Sequence, residues 1–326
     1  MGCRENGLTA IDFERIAEGQ PAPEGPVVGP GAWILNVCSE DKPGNGWRAG
    51  GGDISATDVG RPGSTRTVFS TSTPDIAGIP AALAFGPDGA LYVTDEGRRS
   101  IVRVGPDGAI TDHINSWSGG RINGPNDLSF DPDGNLFFTD PWGSGPDKPI
   151  GNVFGVDWAT GEAYRLRTGL RFPNGIVVRD GSLYVAETIT NKVWVWDVTG
   201  PGQAANETLF CECPSQAGLE WGGPDGMCFD AEGNLYVAHI GSGAIVVYDG
   251  NGTERDRIPT GGPTPTNVCF GGPKHDELFV TQDDLGAVLR FRLGIPGARL
   301  NFCPSLDPAH PWAAMLDPHP ADPMSR

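Results

Sequence analysis

The sequence repeats itself. A short apolar run, a Gly- or Asp-rich turn and a Leu-aromatic-apolar run recur as PAALAFGPDGALYVTDE (80–96), GPNDLSFDPDGNLFFTDP (124–141), FPNGIVVRDGSLYVAET (172–188), GPDGMCFDAEGNLYVAH (223–239) and PTNVCFGGPKHDELFVTQ (265–282). PEGPVVGPGAWILNVCSE (23–40) is a degenerate first copy. The leucines opening the second run, Leu91, Leu136, Leu183, Leu235 and Leu278, are 45, 47, 52 and 43 residues apart. Such a period makes each copy one supersecondary unit that must stack on its neighbours. Third apolar runs follow, as in SIVRV (100–104), KVWVW (192–196), AIVVY (244–248) and AVLRF (287–291). ITDHI (110–114) and EAYRL (162–166) read as fourth runs. Alternating apolar residues with regularly spaced turn signals predict antiparallel sheet. Four strands in each of six copies predict an all-β chain, a six-bladed β-propeller with four-stranded antiparallel blades. One propeller domain is expected over 1–326, with repeats at about 20–295 and terminal segments that close the ring or lie on its surface. TAIDFERIAE (9–18) is the one stretch with a helical pattern.

Composition agrees with that architecture. The 49 Gly and 30 Pro fall between the apolar runs, as punctuation of many short strands. The net charge of −18 speaks against nucleic acid or an anionic membrane as partner. No apolar run is long enough to span a bilayer, and the N-terminal MGCRENGLTAIDFERIAEG lacks the apolar core of a secretory signal. The seven cysteines make an odd set without metal-site spacing; Cys228 and Cys269 read as small buried hydrophobes. A reduced, cytoplasmic setting is therefore expected. The sequence leaves the oligomeric state open.

The repeat separates like from unlike. GPDG occurs at 86–89, 105–108 and 223–226. The first two copies fall between strands and are predicted hairpin turns. The third begins a first strand, so Asp225 stands in a different phase. Aligning the copies on the residue after the leading proline gives the column Glu24, Ala81, Asn126, Asn174, Asp225 and Thr266. First strands of propeller blades line the central channel, so these six side chains are expected to ring one mouth. Glu24, Asn126, Asn174 and Asp225 each offer oxygen there, and none is a natural core filler. Converging carboxylates repel and resist desolvation unless a counter-charge is present. The column therefore predicts one divalent cation, Ca²⁺ first, with Zn²⁺, Mn²⁺ and Mg²⁺ as alternatives. The ends of the second strands give another column, Asp95, Asp140, Glu187, His239 and Gln282. Acidic residues at strand ends often cap local backbone amides. Glu187 and His239 are nevertheless expected to enter the pocket from opposite walls.

PEGPV (23–27), GRINGPNDLSFDPDG (120–134), GLRFPNGIVV (169–178), LYVAETITNKVWVW (183–196) and GPDGMCFDAEGNLYVAH (223–239) resemble the senescence-marker-protein/gluconolactonase/luciferin-regenerating-enzyme family. The resemblance covers roughly 20–295 and rests on EGP, PND, PNG and PDG in order. It implies a six-bladed propeller with one divalent cation, commonly calcium, at the channel mouth. Its metal ligands fall on Glu24, Asn174 and Asp225. Asn126 matches an asparagine that binds the ion directly in some members and through water or substrate in others. The family hydrolyses lactones of sugar acids; a close branch, resembling diisopropyl fluorophosphatase, cleaves organophosphates. Sugar-lactone members often carry an Arg just before that asparagine; here Arg121 and Asn123 precede Asn126 and are expected at the substrate.

The expected activity is a metal-dependent lactonase, a carboxylic ester hydrolase acting on a small-molecule lactone or related cyclic ester. Asp225 is the expected general base or nucleophile, and Glu24 chiefly a ligand. A GxSxG nucleophile motif is absent, which argues against a serine hydrolase. Two alternatives use the same ring: an organophosphate or fluorophosphate hydrolase, and a non-catalytic propeller whose ion only stabilises the fold.

Overall fold

The computed structural model describes residues 12–31, 33–40, 50–214, 221–304 and 309–316. These form six four-stranded antiparallel sheets, each the blade of a propeller. The first strands of the blades are Pro23–Gly29, Pro80–Phe85, Leu128–Phe130, Pro173–Arg179, Gly223–Phe229 and Pro265–Gly271. All six contribute residues to one central cavity of about 300 Å³. Five blades are built from four consecutive strands, and the sixth closes differently. Its three strands, Pro265–Gly271, Glu277–Gln282 and Ala287–Phe291, are completed by Phe13–Ala17 from the N-terminus.

That closure corrects the helical reading of 9–18: Phe13–Ala17 is a strand, and residues before 12 lie outside the described set. Pairing with Ala287–Phe291 supplies a ladder that a short isolated helix lacks. Ile16 and Ala17 are buried, and Phe13 meets Phe291 with ring centroids 5.6 Å apart. Glu14 receives both Arg290 and Arg292, and the hydrogen bond from Arg290 holds its carboxyl below the usual range. At the other end Trp312–Leu316 is a single helical turn. Trp312 is fully buried between the first two blades, donating its indole N–H to Gly89 O at 3.1 Å. No described helix is long and apolar enough to cross a membrane.

The core follows the repeat. Six hydrophobic clusters occupy the six blade junctions, each joining the inward faces of two neighbours. Phe138 and Phe154, for example, stack at 5.1 Å in the wall facing blade two. A second device ties the blades near one mouth. Ser39 Oγ donates to Pro80 O, Thr139 Oγ1 to Asn174 O, Thr188 Oγ1 to Pro224 O and Thr266 Oγ1 to Pro23 O, at 2.6–2.9 Å. Thr94 Oγ1 donates to Asn126 O in the same way. At five junctions, then, a hydroxyl from one blade holds the backbone at the head of another blade's first strand. Those heads carry the column of oxygen side chains.

The two hairpin GPDG segments behave as turns: Gly89 N donates to Gly86 O at 3.0 Å, and Gly108 N to Gly105 O at 2.9 Å. The third lies inside the strand Gly223–Phe229, as its phase requires.

Candidate metal centre at the channel mouth

Glu24, Asn174 and Asp225 sit at equivalent points, each followed by glycine and each opening a β-bulge. The pairing with the second strand skips between Glu24 and Val27, Pro173 and Ile176, and Pro224 and Met227. A bulge re-aims the side chain at its start and bends the strand. The glycines permit the neighbouring strands to close in. A Cβ on Gly175 would lie 2.1 Å from Asp225 O, and one on Gly226 would lie 2.0 Å from the Asn267 side chain. Any other residue at Gly175 would press on the backbone of the neighbouring first strand, and one at Gly226 would displace the Asn267 side chain.

The ring is buried and acidic. Glu24, Asn174 and Asp225 are 6%, 2% and 5% exposed, and Asn126 is half-buried. Glu24 accepts Gly25 N at 2.6 Å, and Asp225 accepts Gly226 N. Burial drives both carboxyls well above their ordinary range; for Asp225 the nearby charges of Glu24, Asp127 and Glu96 add to it. Asn174 donates Nδ2–H to Thr188 Oγ1 at 3.1 Å, and Asn126 donates Nδ2–H to Glu96 Oε1 at 3.1 Å. In both amides the nitrogen is spoken for and the carbonyl oxygen is left for another partner.

Sequence reasoning missed Glu96 and Asp127. Glu96 is 2% exposed, and burial, then the charges of Asp95 and Asp140, push it to about 8. Asp127 is pushed to about 7 by burial, although its oxygens accept Leu128 N at 2.8 Å and Ile176 N at 3.0 Å. Each lies one residue beyond a column that the repeat defines: Glu96 after Asp95, Asp127 after Asn126. The signal was present in TDEG and PNDL as a second acid or amide beside the aligned one.

Two expectations at the second-strand ends need correction. Glu187 is 4% exposed and its carboxylate is taken up by neighbours. Its Oε1 accepts Arg171 N at 2.6 Å, and its Oε2 accepts Thr190 Oγ1 at 2.7 Å and Trp194 Nε1 at 2.9 Å. Both oxygens are used in holding the loop that leads into the blade's own first strand. Asp140 does the same through Asn123 N and Gly124 N, and Asp95 through Ile79 N. His239 lies opposite Pro224 in the sheet and is 0% exposed, so it presents no surface to a substrate. Burial lowers its imidazole to about 4. Arg121 is exposed on a two-residue hairpin strand, its guanidinium donating to Arg98 O at 3.3 Å; Asn123 is partly buried and its backbone is anchored by Asp140.

The donor set fits a hard cation. Among the described residues no three His, Cys, Asp or Glu side chains form a cluster able to hold an ion unaided. The ring is instead mixed, with two carboxylates and two carboxamides, all oxygen. That combination is suited to calcium and leaves no soft ligand for a thiophilic metal. The desolvated carboxylates are the positive sign of fit, since a counter-charge removes the cost of ionising them together.

Residues 52–283 match the family model SMP-30/Gluconolactonase/LRE-like region. The chain is 32% identical over 311 residues to a diisopropyl-fluorophosphatase of Loligo vulgaris, covering 90% of this chain and 96% of that protein. It is 31% identical over 218 residues to a gluconolactonase of Zymomonas mobilis, covering 60% and 58%. Among solved structures, a luciferin-regenerating enzyme superposes with a TM-score of 0.73 at 19% identity, covering 91% of this chain and 99% of that one. The repeat, the six blades and the match across most of the chain establish that this protein belongs to the SMP-30/gluconolactonase/LRE-like family.

Proposed function

We propose that this protein is a metal-dependent hydrolase that opens lactone rings, holding one divalent cation, calcium first, between Glu24, Asn126, Asn174 and Asp225. The observation that carries the reading is the desolvated pair Glu24 and Asp225, both pushed upward by burial, beside two amides whose oxygens are left for another partner. When bound, the ion supplies Lewis-acid polarisation of the ester carbonyl. The chain's own groups do the rest. Asp225, fixed by Gly226 N, is the carboxylate that takes a proton from water or attacks the carbonyl. Glu24, fixed by Gly25 N, serves chiefly as ligand. Asp127 is spent on two backbone amides and holds the first strands of blades three and four together. Arg121 and Asn123, at the rim, are the proposed contacts to substrate hydroxyls.

The charge of the mouth restricts the substrate. Glu24 and Asp225 alone balance one divalent cation, and Glu96 and Asp127 stand close by, so the site has no surplus positive charge to offer an anion. Such a site favours a neutral electrophile and disfavours an anionic ester. A lactone is neutral, and its product, a hydroxy-acid anion, is repelled on formation. A phosphotriester or fluorophosphate is also neutral. The 32% identity over nearly the whole length of a diisopropyl-fluorophosphatase makes that chemistry the second reading. The test is a pH-stat panel of aldonolactones, simple lactones, a phosphotriester and a fluorophosphate. Each is run with chelated protein and after adding back Ca²⁺, Mn²⁺ or Zn²⁺. Fastest turnover of a lactone supports the first reading, fastest turnover of a phosphorus ester the second, and turnover of none means a binding propeller.

A further inference from the structure

We propose that Glu96 is a positioning residue for the metal ring, fixing the amide of Asn126 so that its oxygen faces the channel axis; this rests on the metal reading above. Glu96 belongs to blade two and Asn126 heads blade three. The Nδ2–H of Asn126 meets Glu96 Oε1 at 3.1 Å across that junction. An asparagine amide has two nearly isosteric orientations, and only one turns oxygen toward a cation. In the structure Glu96 Oε1 is the acceptor and the amide nitrogen the donor, so the carbonyl oxygen of Asn126 is the end turned away from Glu96. It thereby selects the orientation that a metal site needs.

Asn174 supplies an internal control. Its Nδ2–H is held at 3.1 Å by Thr188 Oγ1, whose own hydrogen is committed to Pro224 O at 2.8 Å. Thr188 is thus also an acceptor toward the amide. Glu96 and Thr188 occupy the same register, one residue past the second-strand residue that pairs with the leading proline. The backbone oxygens of Asn126 and Asn174 are likewise held by matching threonines, Thr94 and Thr139. Both neutral ligands thus have their amide nitrogen held by an acceptor at that register, Asn126 by a carboxylate from the preceding blade and Asn174 by a hydroxyl from its own. Asn174 is 2% exposed and sterically confined, whereas Asn126 is half-buried and depends more on its partner.

The test is calorimetric titration of Ca²⁺ into chelated protein, with Glu96→Gln, Glu96→Ala and the unmodified chain side by side. Circular dichroism and melting of the metal-free forms check that each variant folds. A glutamine retains an acceptor oxygen within reach of Asn126 Nδ2, and an alanine does not. Positioning predicts that Glu96→Ala weakens Ca²⁺ binding about tenfold or more, the scale for losing a residue that orients a metal ligand, while Glu96→Gln restores most of it. Equal affinity of Glu96→Ala and the unmodified chain would overturn the proposal. So would a loss in Glu96→Gln as large as in Glu96→Ala, because the charge rather than the orientation would then matter. Absence of binding by the unmodified chain, with Ca²⁺ and with Mn²⁺, would overturn the metal reading itself.

Discussion

Two acidic rings stand at the same mouth of the channel, one at the heads of the first strands and one at the ends of the second. In sequence they look alike: Glu24, Asn126, Asn174 and Asp225 against Asp95, Asp140, Glu187, His239 and Gln282. In the fold they differ in what satisfies them. The carboxyl oxygens of Glu187 and Asp140 have three donors each from their own blade. Gln282 is tied through its nitrogen, which donates to Thr260 Oγ1 and Gly262 O. Glu24 is bonded by Gly25 N and by the Thr266 and Asn267 side chains, and Asp225 by Gly226 N, yet burial still leaves the two costly to ionise together. The acids of the second ring are spent on their own loops, although Asp95 Oδ2 and Gln282 Oε1 find no hydrogen-bond partner. What sets the first ring apart is that its carboxyls are buried beside one another's charge, a cost that a bound cation would relieve.

The largest effect that would break this comparison lies in the first ring. Asp225→Ala is expected to lower the hydrolytic rate by a factor of at least about 100, the lower range for losing a positioned proton-transfer group. The pH-stat assay checks this against circular dichroism of the same sample. Glu24→Gln should lose activity together with calcium affinity.

The pH dependence of the metal-free fold comes next. Glu96 and Asp127 have folded values near 8 and 7, above their ordinary carboxyl values, because burial favours the neutral form. A raised folded value gives stability that is whole below the unfolded pKa and is lost as pH climbs through the folded one. Chelated protein should therefore melt at a lower temperature at pH 8.5 than at pH 5, and saturating calcium should remove most of the difference. A flat melting profile in chelator would show that these carboxyls are not held neutral.

The second ring should answer to a different assay. Glu187→Ala removes an acceptor from Arg171 N, Thr190 and Trp194, and is expected to cost about 2–3 kcal/mol of stability, as for hydrogen bonds to a charged group. Thermal melting of the metal-free protein reads that loss, while calcium affinity changes little. The smallest effect is expected at the rim. Arg121 is exposed, so Arg121→Ala should leave the melting temperature within a degree or so of the unmodified value. It should change KM for a polyhydroxylated lactone by a few fold, with kcat nearly constant.

The fold was legible because its repeat is long, regular and punctuated by Gly and Pro. Register then made the column of oxygen side chains legible, since a proline stands immediately before each residue of the column. The strand at Phe13–Ala17 was not, because its partner lies more than 270 residues away and its local pattern is helical. Glu187 and His239 were misplaced for a related reason. The donors that occupy Glu187 are one indole, one hydroxyl and one backbone amide, and an amide leaves no mark in a sequence. Glu96 and Asp127 escaped because each stands one residue past its column, and a column drawn through one aligned residue cannot show its neighbour.

The central claim is that only the first ring holds an ion. It is tested most directly by titrating Ca²⁺ into chelated samples of the unmodified chain, Asp225→Asn and Glu187→Gln in one calorimetric series. One ion is expected to bind the unmodified chain, with binding lost in Asp225→Asn and kept in Glu187→Gln. No ion bound by the unmodified chain, or equal loss in the two variants, would contradict it.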